Sequence, residues 1–409
     1  MVMAVTDASV SRRGEAAGAG LSDPTGSRWV RIGHSWNLDA RVAGIAATQQ
    51  ALAVPEPKLL MVFASFRYNL PELLAGLGEV AGDVPVIGCS TAGEIGPGPI
   101  AGSGVVVVCL GGDFSITTSC ASGLRTQPRG VGEAVASGLL PLPPARYRFV
   151  LMLTDALAGD QQEMIRGAYG LLGATVPILG GGAGDNMRME TSYQIYNGQI
   201  MQNAVIAAAV GTNSPVGLSI RHGWHRQGEA MVVTSSSGSR VYTLDDHPAL
   251  DLYLRRHDAP PGVDADPAAF AAFAITRPLA VARRGDVAVR HVLGADPVRR
   301  TLSCAGGVPN GATVWLATGD VASTIAAADA ACADATRQLL EIPTLALLVF
   351  DCAGRRAVLG DAGVVAERQV MCHRAGAAPL AGFYTYGEIA RTRGVHAFHN
   401  QTIVALALS

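Results

Sequence analysis

Apolar runs along the chain recur in a fixed order. Three of them, KLLMVFAS (58–65), YRFVLMLTDA (147–156) and TLALLVFDC (344–352), are short, aliphatic and bounded by polar turns, the pattern of buried strands. Helically spaced apolar positions follow the first two, in NLPELLAGLGEVAG and DQQEMIRGAYGLLG, with Asn69 and Asp160 placed as N-caps. The third copy has a looser stretch in that place, AGRRAVLG and VVAERQVMC. Each copy then has a strand that begins at a proline: VPVIGCSTAGEI, VPILGGGAGDN and APLAGFYTYGEI. Proline is tolerated there because the first N–H of a strand need not pair. Each copy closes on another apolar strand, GVVVVCLGG (104–112), NAVIAAAVG (203–211) or QTIVALALS (401–409), and the lack of alternation predicts burial on both faces.

Two regions link these copies. Residues 113–146 carry a strand, FSITTSC, and a helix around GVGEAVASGLL. Residues 216–340 carry the strands VGLSIRHGW, AMVVTSSSGSRVYTL, PLAVARRG and ATVWLATG, with helices around HPALDLYLRR and from Ala322 to Leu340. DAPPGVDADPAAF (258–270) reads as a Pro/Asp-rich loop. The pattern predicts an α/β (α+β) fold: two related domains with mixed β-sheets flanked by helices, built from pseudo-repeats of strand-helix-strand-strand. Residues 1–27 read as a flexible Ala/Gly/Ser tail, 28–215 as an N-terminal domain and 216–409 as a C-terminal domain.

Composition sharpens this picture. Of 409 residues 49% are hydrophobic and 16% charged, which allows a large core and argues against disorder. Net charge is −2, Lys58 is the single lysine, and the arginines are scattered, so no nucleic-acid-binding stripe forms. The seven cysteines are odd in number and contain no C-x-x-C pair, which predicts reduced thiols and a cytoplasmic protein. No apolar run approaches the ~20 residues of a membrane span, and the N-terminus lacks the apolar segment of a secretory signal.

The candidate chemistry lies at the ends of the proline-led strands. Pro85, Gly88, Thr91, Gly93, Glu94 and Ile95 recur at the same spacing as Pro379, Gly382, Thr385, Gly387, Glu388 and Ile389. One reading is architectural, a duplicated turn in which Thr and Glu bond nearby amides. The other is that the copies converge and line a pocket, with the differences between them, Cys89 and Ser90 against Phe383 and Tyr384, giving it asymmetry. ILGGGAGDN lacks the Lys and Ser/Thr of a phosphate loop, which leaves Asp185 and Asn186 to bond the turn or a small polar ligand. Arg355 in FDCAGRR either pairs with Glu367 or Glu388 or takes a ligand carboxylate, and Asn400 in HAFHNQT is similarly poised. No hydrolase or metal-protease motif occurs, and a Cys89 nucleophile would need a base as distant in sequence as His399, so no enzyme is expected.

Taken together, VPVIGCSTAGEI with ILGGGAGDN resembles the FIST N-terminal domain. VVTSSSGSRVYTLDDHPALDLY, FDCAGRRAVLG, PLAGFYTYGEIA and HAFHNQTIVALAL, in that order, resemble the FIST C-terminal domain. The resemblance spans about residues 28–409 and implies a sensory ligand-binding module of bacterial signal transduction. With no output domain in the chain, it implies signalling through a separate histidine kinase, chemotaxis or cyclic-dinucleotide protein. It also implies a small, amino acid-like ligand, contacted by Cys89, Ser90, Thr91, Glu94, Asp185, Asn186, Arg355, Thr385, Glu388 and Asn400. In that reading Arg355 takes the carboxylate and Glu94 or Glu388 the ammonium group, and neither a metal nor a cofactor is required. Some relatives resemble haem proteins that sense nitric oxide, which makes His222, His225 or His399 an alternative, haem-binding set. A protein-interaction scaffold without ligand is the second alternative.

Overall fold

The apolar strands pair into three equivalent units in the computed structural model, which describes residues 28–98, 104–283, 286–391 and 397–409. The tail expected at 1–27 lies outside the described residues. The first unit runs Trp29–Ser35 (β1), Ala40–Ala51 (α1), Pro57–Ser65 (β2), Leu70–Ala81 (α2), Val86–Thr91 (β3), Glu94–Ile95 (β4) and Val105–Gly111 (β5). The second runs Ser115–Ser122 (β6), Pro128–Ser137 (α3), Tyr147–Thr154 (β7), Gln161–Leu172 (α4), Ile178–Gly182 (β8), Gln194–Tyr196 (β9), Gln199–Met201 (β10) and Ala204–Thr212 (β11).

The third unit opens with Val216–Arg221 (β12) and then accepts an insertion. The inserted elements are His225–Ser237 (β13), Arg240–Leu244 (β14), His247–Pro248 (β15), Ala249–Arg256 (α5), Pro267–Ala274 (α6), Leu279–Arg283 (β16), Asp286–Arg290 (β17), Val292–Asp296 (β18), Thr301–Cys304 (β19) and Thr313–Thr318 (β20). The unit resumes with Val321–Arg337 (α7), Ala346–Cys352 (β21), Ala353–Ala375 (α8), Leu380–Thr385 (β22), Glu388–Arg391 (β23), Phe398–His399 (β24) and Ile403–Leu408 (β25). In every unit the central strand (β2, β7, β21) runs parallel to the proline-led strand and antiparallel to the last one. The opening strand (β1, β6, β12) then pairs with that last strand.

The mixed α/β class and the flanking helices are as expected, and Asn69 and Asp160 cap α2 and α4 through bonds to Glu72 N and to Gln162 N and Glu163 N. The repeat is longer than strand-helix-strand-strand. β6 and α3 belong to the second unit rather than to a linker, and β1 and α1 precede the first recognised strand. The looser third copy is α8, broken by left-handed Gly360 (φ 60°). The loop expected at 258–270 ends in α6, where Asp266 accepts from Ala268 N and Pro267 sets the first turn.

Absence of alternation in the closing strands has a direct cause. Along β5, Val106, Val108 and Leu110 face a core shared by all three units, whereas Val105, Val107 and Cys109 face α1 and α2. At the centre of the shared core Phe63 stacks 4.8 Å from Phe383, which meets Phe350 edge-on at 5.7 Å. The insertion has its own core around Tyr253, Phe270 and Phe273. Among the described residues no helix is long and apolar enough to cross a membrane.

The proline-led strands exchange edges in a cycle. β4 of the first unit pairs with β22 of the third, β23 of the third with β8 of the second, and β9 of the second with β3 of the first. Backbone bonds close the ring at the strand ends: Ala92 N to Tyr384 O at 2.9 Å, Gly182 N to Gly387 O at 2.9 Å and Gly184 N to Ser90 O at 3.0 Å. The glycine that follows each proline by three residues has a shared reason. A Cβ at Gly88, Gly180 or Gly382 would sit 2.4, 2.0 or 1.7 Å from the carbonyl oxygen of Val62, Met152 or Val349 on the neighbouring parallel strand. Gly382→Ala is therefore expected to cost about 3 kcal/mol or more by overpacking. Gly78→Ala, in a helix with nothing within 4 Å of the added Cβ, is expected to stabilise by up to ~1 kcal/mol. Denaturant unfolding of the two variants measures both.

Candidate functional site

The repeated turns do converge, but on one another. Cys89, Ser90 and Thr91 are buried at the centre of the molecule. Ser90 Oγ accepts from Tyr193 N at 2.9 Å. Thr91 and Thr385 each donate to their own glutamate, Glu94 and Glu388. Glu94 also accepts from Gly104 N at 3.2 Å, and Glu388 from the amide of Thr402 at 3.1 Å and its hydroxyl at 2.6 Å. Burial holds the Cys89 thiol well above its usual range, with the charge of Glu94 adding to the effect. These residues join the three units; the pocket expected between them is filled by their own hydrogen bonds.

Arg355 is corrected as well. Its guanidinium is fully buried, 2.6 Å from Asp351 and 2.6 Å from Glu367, and it also donates to the carbonyls of His222 at 3.2 Å and Thr324 at 3.0 Å. Pairing with Glu367, one of the two expected outcomes, leaves no fork for a ligand carboxylate. The neighbouring Arg356 reaches across the ring instead, donating to the carbonyl of Ala92 and, at 3.1 Å, to Asn186 Oδ1. Asp185 accepts from the amides of Met189, Glu190 and Thr191 at 2.8–2.9 Å and from the Tyr386 hydroxyl. Burial pushes its carboxyl up, and those hydrogen bonds, Tyr386 first, outweigh it and hold the group below the usual range. Asp185 therefore bonds its own loop, as the architectural reading requires.

A cavity of about 920 Å³ lies to one side of the ring, between the second unit, the insertion and the third unit. Of the expected contact residues, Thr385 and Asn400 line it; the other eight do not. The second unit supplies the start of α4, where Asp160 already caps the helix with its carboxylate. The insertion supplies Arg283 and Arg290 from the β16–β17 hairpin, His291, and the glycine-rich loop after β19.

Arg290 is the unusual group. It is only 4% exposed, and it donates to two carbonyls, Gly307 at 3.2 Å and Val289 at 2.9 Å. Among the described residues no carboxylate pairs with it, and burial, with the charge of Arg283 second, pulls its pKa down to about 10. Asn400 is also 4% exposed, and its Oδ1 has no hydrogen-bond partner among the described residues. The two face the same space: a Cβ at left-handed Gly306 would lie 3.4 Å from Arg290 Nε and 3.6 Å from Asn400 Oδ1. A buried cation and a buried acceptor left unsatisfied each cost free energy, which a ligand carrying an anion and a donor would recover. Sequence reasoning missed Arg290; its signal was an arginine inside the apolar strand DVAVRHV with a glycine-rich loop, CAGGVPNG, shortly after.

The histidines considered for haem do not meet at this cavity. His222 Nδ1 accepts from Trp224 N at 3.0 Å, His225 is exposed on β13, and His399 Nε2 lies 3.0 Å from the Ala390 carbonyl. None of the three lines the cavity, so the residues proposed for haem do not fit it there. Among the described residues no cluster of three His, Cys, Asp or Glu is placed to hold a metal.

Burial is the largest cause of the shifts at both ring glutamates, which lifts Glu94 to about 7 and Glu388 to about 8. Each takes up a proton on folding, so its contribution is full below the unfolded value of 4.5 and is lost as pH rises through the folded one. His257 and His291, both partly buried and held near 4 by desolvation, act oppositely: their contribution is full above 6.5 and lost as pH falls. Between pH 6.5 and 8 the glutamates therefore dominate, and stability is expected to fall by on the order of 2 kcal/mol. Glu388→Gln should flatten most of that slope in denaturant melts taken across this range.

Comparison with known proteins places these features in a family. The FIST N domain matches residues 58–247 and the FIST C domain residues 249–391. The uncharacterized protein MJ1623 of Methanocaldococcus jannaschii is 28% identical over 41% of this chain and 34% of its own length. The uncharacterized protein Rv0628c of Mycobacterium tuberculosis is 30% identical over 43% of this chain and 46% of its own length. The chain thus spans less than half the length of these curated relatives. Among solved structures, a cyanuric acid hydrolase from A. caulinodans aligns at a TM-score of 0.27 with 12% identity, over 46% of this chain and 71% of that one. T. maritima PurL complexed with ADP aligns at 0.24 with 11% identity, over 96% and 74%. Likeness at that level bears on neither fold nor function. With both domains matched in order over most of its length, the chain belongs to the FIST family, whose domains are associated with signal transduction.

Proposed function

We propose that this protein is a cytoplasmic, non-enzymatic sensor that binds a small amino acid-like ligand in the cavity beside the ring. It reports occupancy to a separate signalling protein, such as a histidine kinase, chemotaxis or cyclic-dinucleotide protein. One observation carries the reading: Arg290 is a buried cation at the cavity wall without a carboxylate partner among the described residues. In this role Arg290, with Arg283 beside it, takes the ligand carboxylate, and Asn400 Oδ1 accepts from the ligand ammonium group. The cavity is built from three parts of the chain, so a bound ligand would tie the insertion to the second and third units. That gives occupancy a route to a partner-facing surface. The reading calls for no cofactor.

Titration calorimetry and thermal melts with the twenty amino acids test it. At least one is expected to bind and, at about 100 times its Kd, to stabilise the protein by roughly 2.7 kcal/mol. Arg290→Met should weaken that binding about 10- to 100-fold, the value of one hydrogen bond to a charged group. Neither heat nor a melting shift with any of the twenty would remove the amino acid reading.

A further inference from the structure

The cavity is large for a plain amino acid, since roughly 300–1,000 Å³ is the range that takes drug-sized ligands, and its exposed rim sets three apolar side chains beside the polar Asp160, Arg166 and Asn310. Met187 and Met189 line it while remaining 45% exposed each, and Leu293 lines it at 43% exposure. Ile275 and Phe398 continue the apolar wall inward. Scattered exposed aliphatics are ordinary, but three at one cavity mouth are not what solvent selects.

The segment bearing the two methionines is held in an unfavourable conformation. Asn186, Met187 and Met189 have φ of 58°, 68° and 58°, left-handed values that side-chain-bearing residues seldom adopt. The Asp185 carboxylate imposes them by accepting from three successive amides, 189 to 191, and from the Tyr386 hydroxyl on the third unit's turn. The loop is thus tied to the ring by a polar clamp, and what the clamp presents at the cavity is a pair of flexible thioethers. Methionine fits itself to apolar shapes that differ in detail.

Resting on the reading of Arg290 above, we infer that Met187 and Met189 are specificity-determining residues for an amphipathic ligand, an amino acid-like carboxylate bearing an extended apolar group. Its carboxylate lies at Arg290 and its apolar body runs along the methionine loop toward Leu293. The charged end sets that an anion binds, and the loop sets how long an apolar chain it carries.

Calorimetry with 2-aminoalkanoic acids of three to ten carbons, on the full chain, tests this. Affinity is expected to rise about fourfold per added methylene, the factor that corresponds to ~0.8 kcal/mol per buried CH₂. In Met187→Ser/Met189→Ser the rise should flatten while the shortest members bind as in the parent, and Met187→Leu/Met189→Leu should restore it. Arg290→Met should weaken every member alike. A flat series in the parent that still depends on Arg290, or a slope unchanged in the double serine variant, overturns the inference and leaves the proposed function standing. Binding of no member at any length overturns both.

Discussion

Backbone pairing across unit boundaries is the constraint on which this structure depends. A sheet of four strands with an open edge is a template for association, and each unit of this chain has one, at β3, β8 or β22. Each edge is covered by a short strand that another unit lends. β4 goes from the first unit to the third, β23 from the third to the second, and β9 from the second to the first. The threonine–glutamate pairs at Thr91–Glu94 and Thr385–Glu388 stand where two of these strands depart, so buried carboxylates sit where the chain leaves one sheet for the next. The aromatic cluster of Phe63, Phe350 and Phe383 lies behind them, and the three helix pairs cover the outer faces.

Symmetry of this kind makes a body but leaves its axis sealed, because the turns that meet there spend Ser90, Thr91, Glu94, Thr385 and Glu388 on hydrogen bonds within the fold. Function enters where the symmetry fails. Only the third unit carries the insertion between its first strand and first helix, and only the second unit has the long 183–193 loop ahead of its lent strand. The cavity lies between those two departures and takes from the symmetric ring just the outer side of the third turn, Thr385 to Gly387. Asp185 is the point of contact between the two regimes: it occupies the position of Gly93 and Gly387 in the repeat, and its carboxylate organises the loop at the cavity.

Much of the body was legible in the sequence. The threefold recurrence of apolar strand, proline-led strand and closing strand follows from local pattern, and the glycine in P-x-x-G has a local steric cause. The opening strands were harder to see. β6, half-buried along most of its length and rich in Ser and Thr, lacks the all-apolar signature of the closing strands and reads as part of a linking region. Edge exchange was not legible at all, because two-residue strands such as β4 are defined by a partner almost three hundred residues away. Of the residues at the candidate site, Thr385 was singled out as part of the repeated turn and Asn400 from its place just ahead of the last apolar strand. Arg290 was not: its place inside an apolar strand is a faint signal, and what distinguishes it, the lack of a carboxylate partner among the described residues, shows only in space. Arg355 misled for the converse reason: an arginine at a strand end looks available until Asp351 and Glu367 are seen to close on it.

The cyclic exchange also orders events during synthesis. The first unit is translated first, but its edge at β3 waits for Gln194–Tyr196. The second unit's edge at β8 waits for Glu388–Arg391, and β4, made early, has no sheet to join until Leu380–Thr385 has emerged. Closure therefore comes only when nearly the whole chain is available, and pairings of such long sequence separation form slowly. A ribosome-bound intermediate would carry an uncovered sheet edge, first β3 and then β8, for most of its lifetime. The FIST N and FIST C segments, split at residue 248, are in this sense two stretches of one ring, and neither contains all the strands its own sheets require.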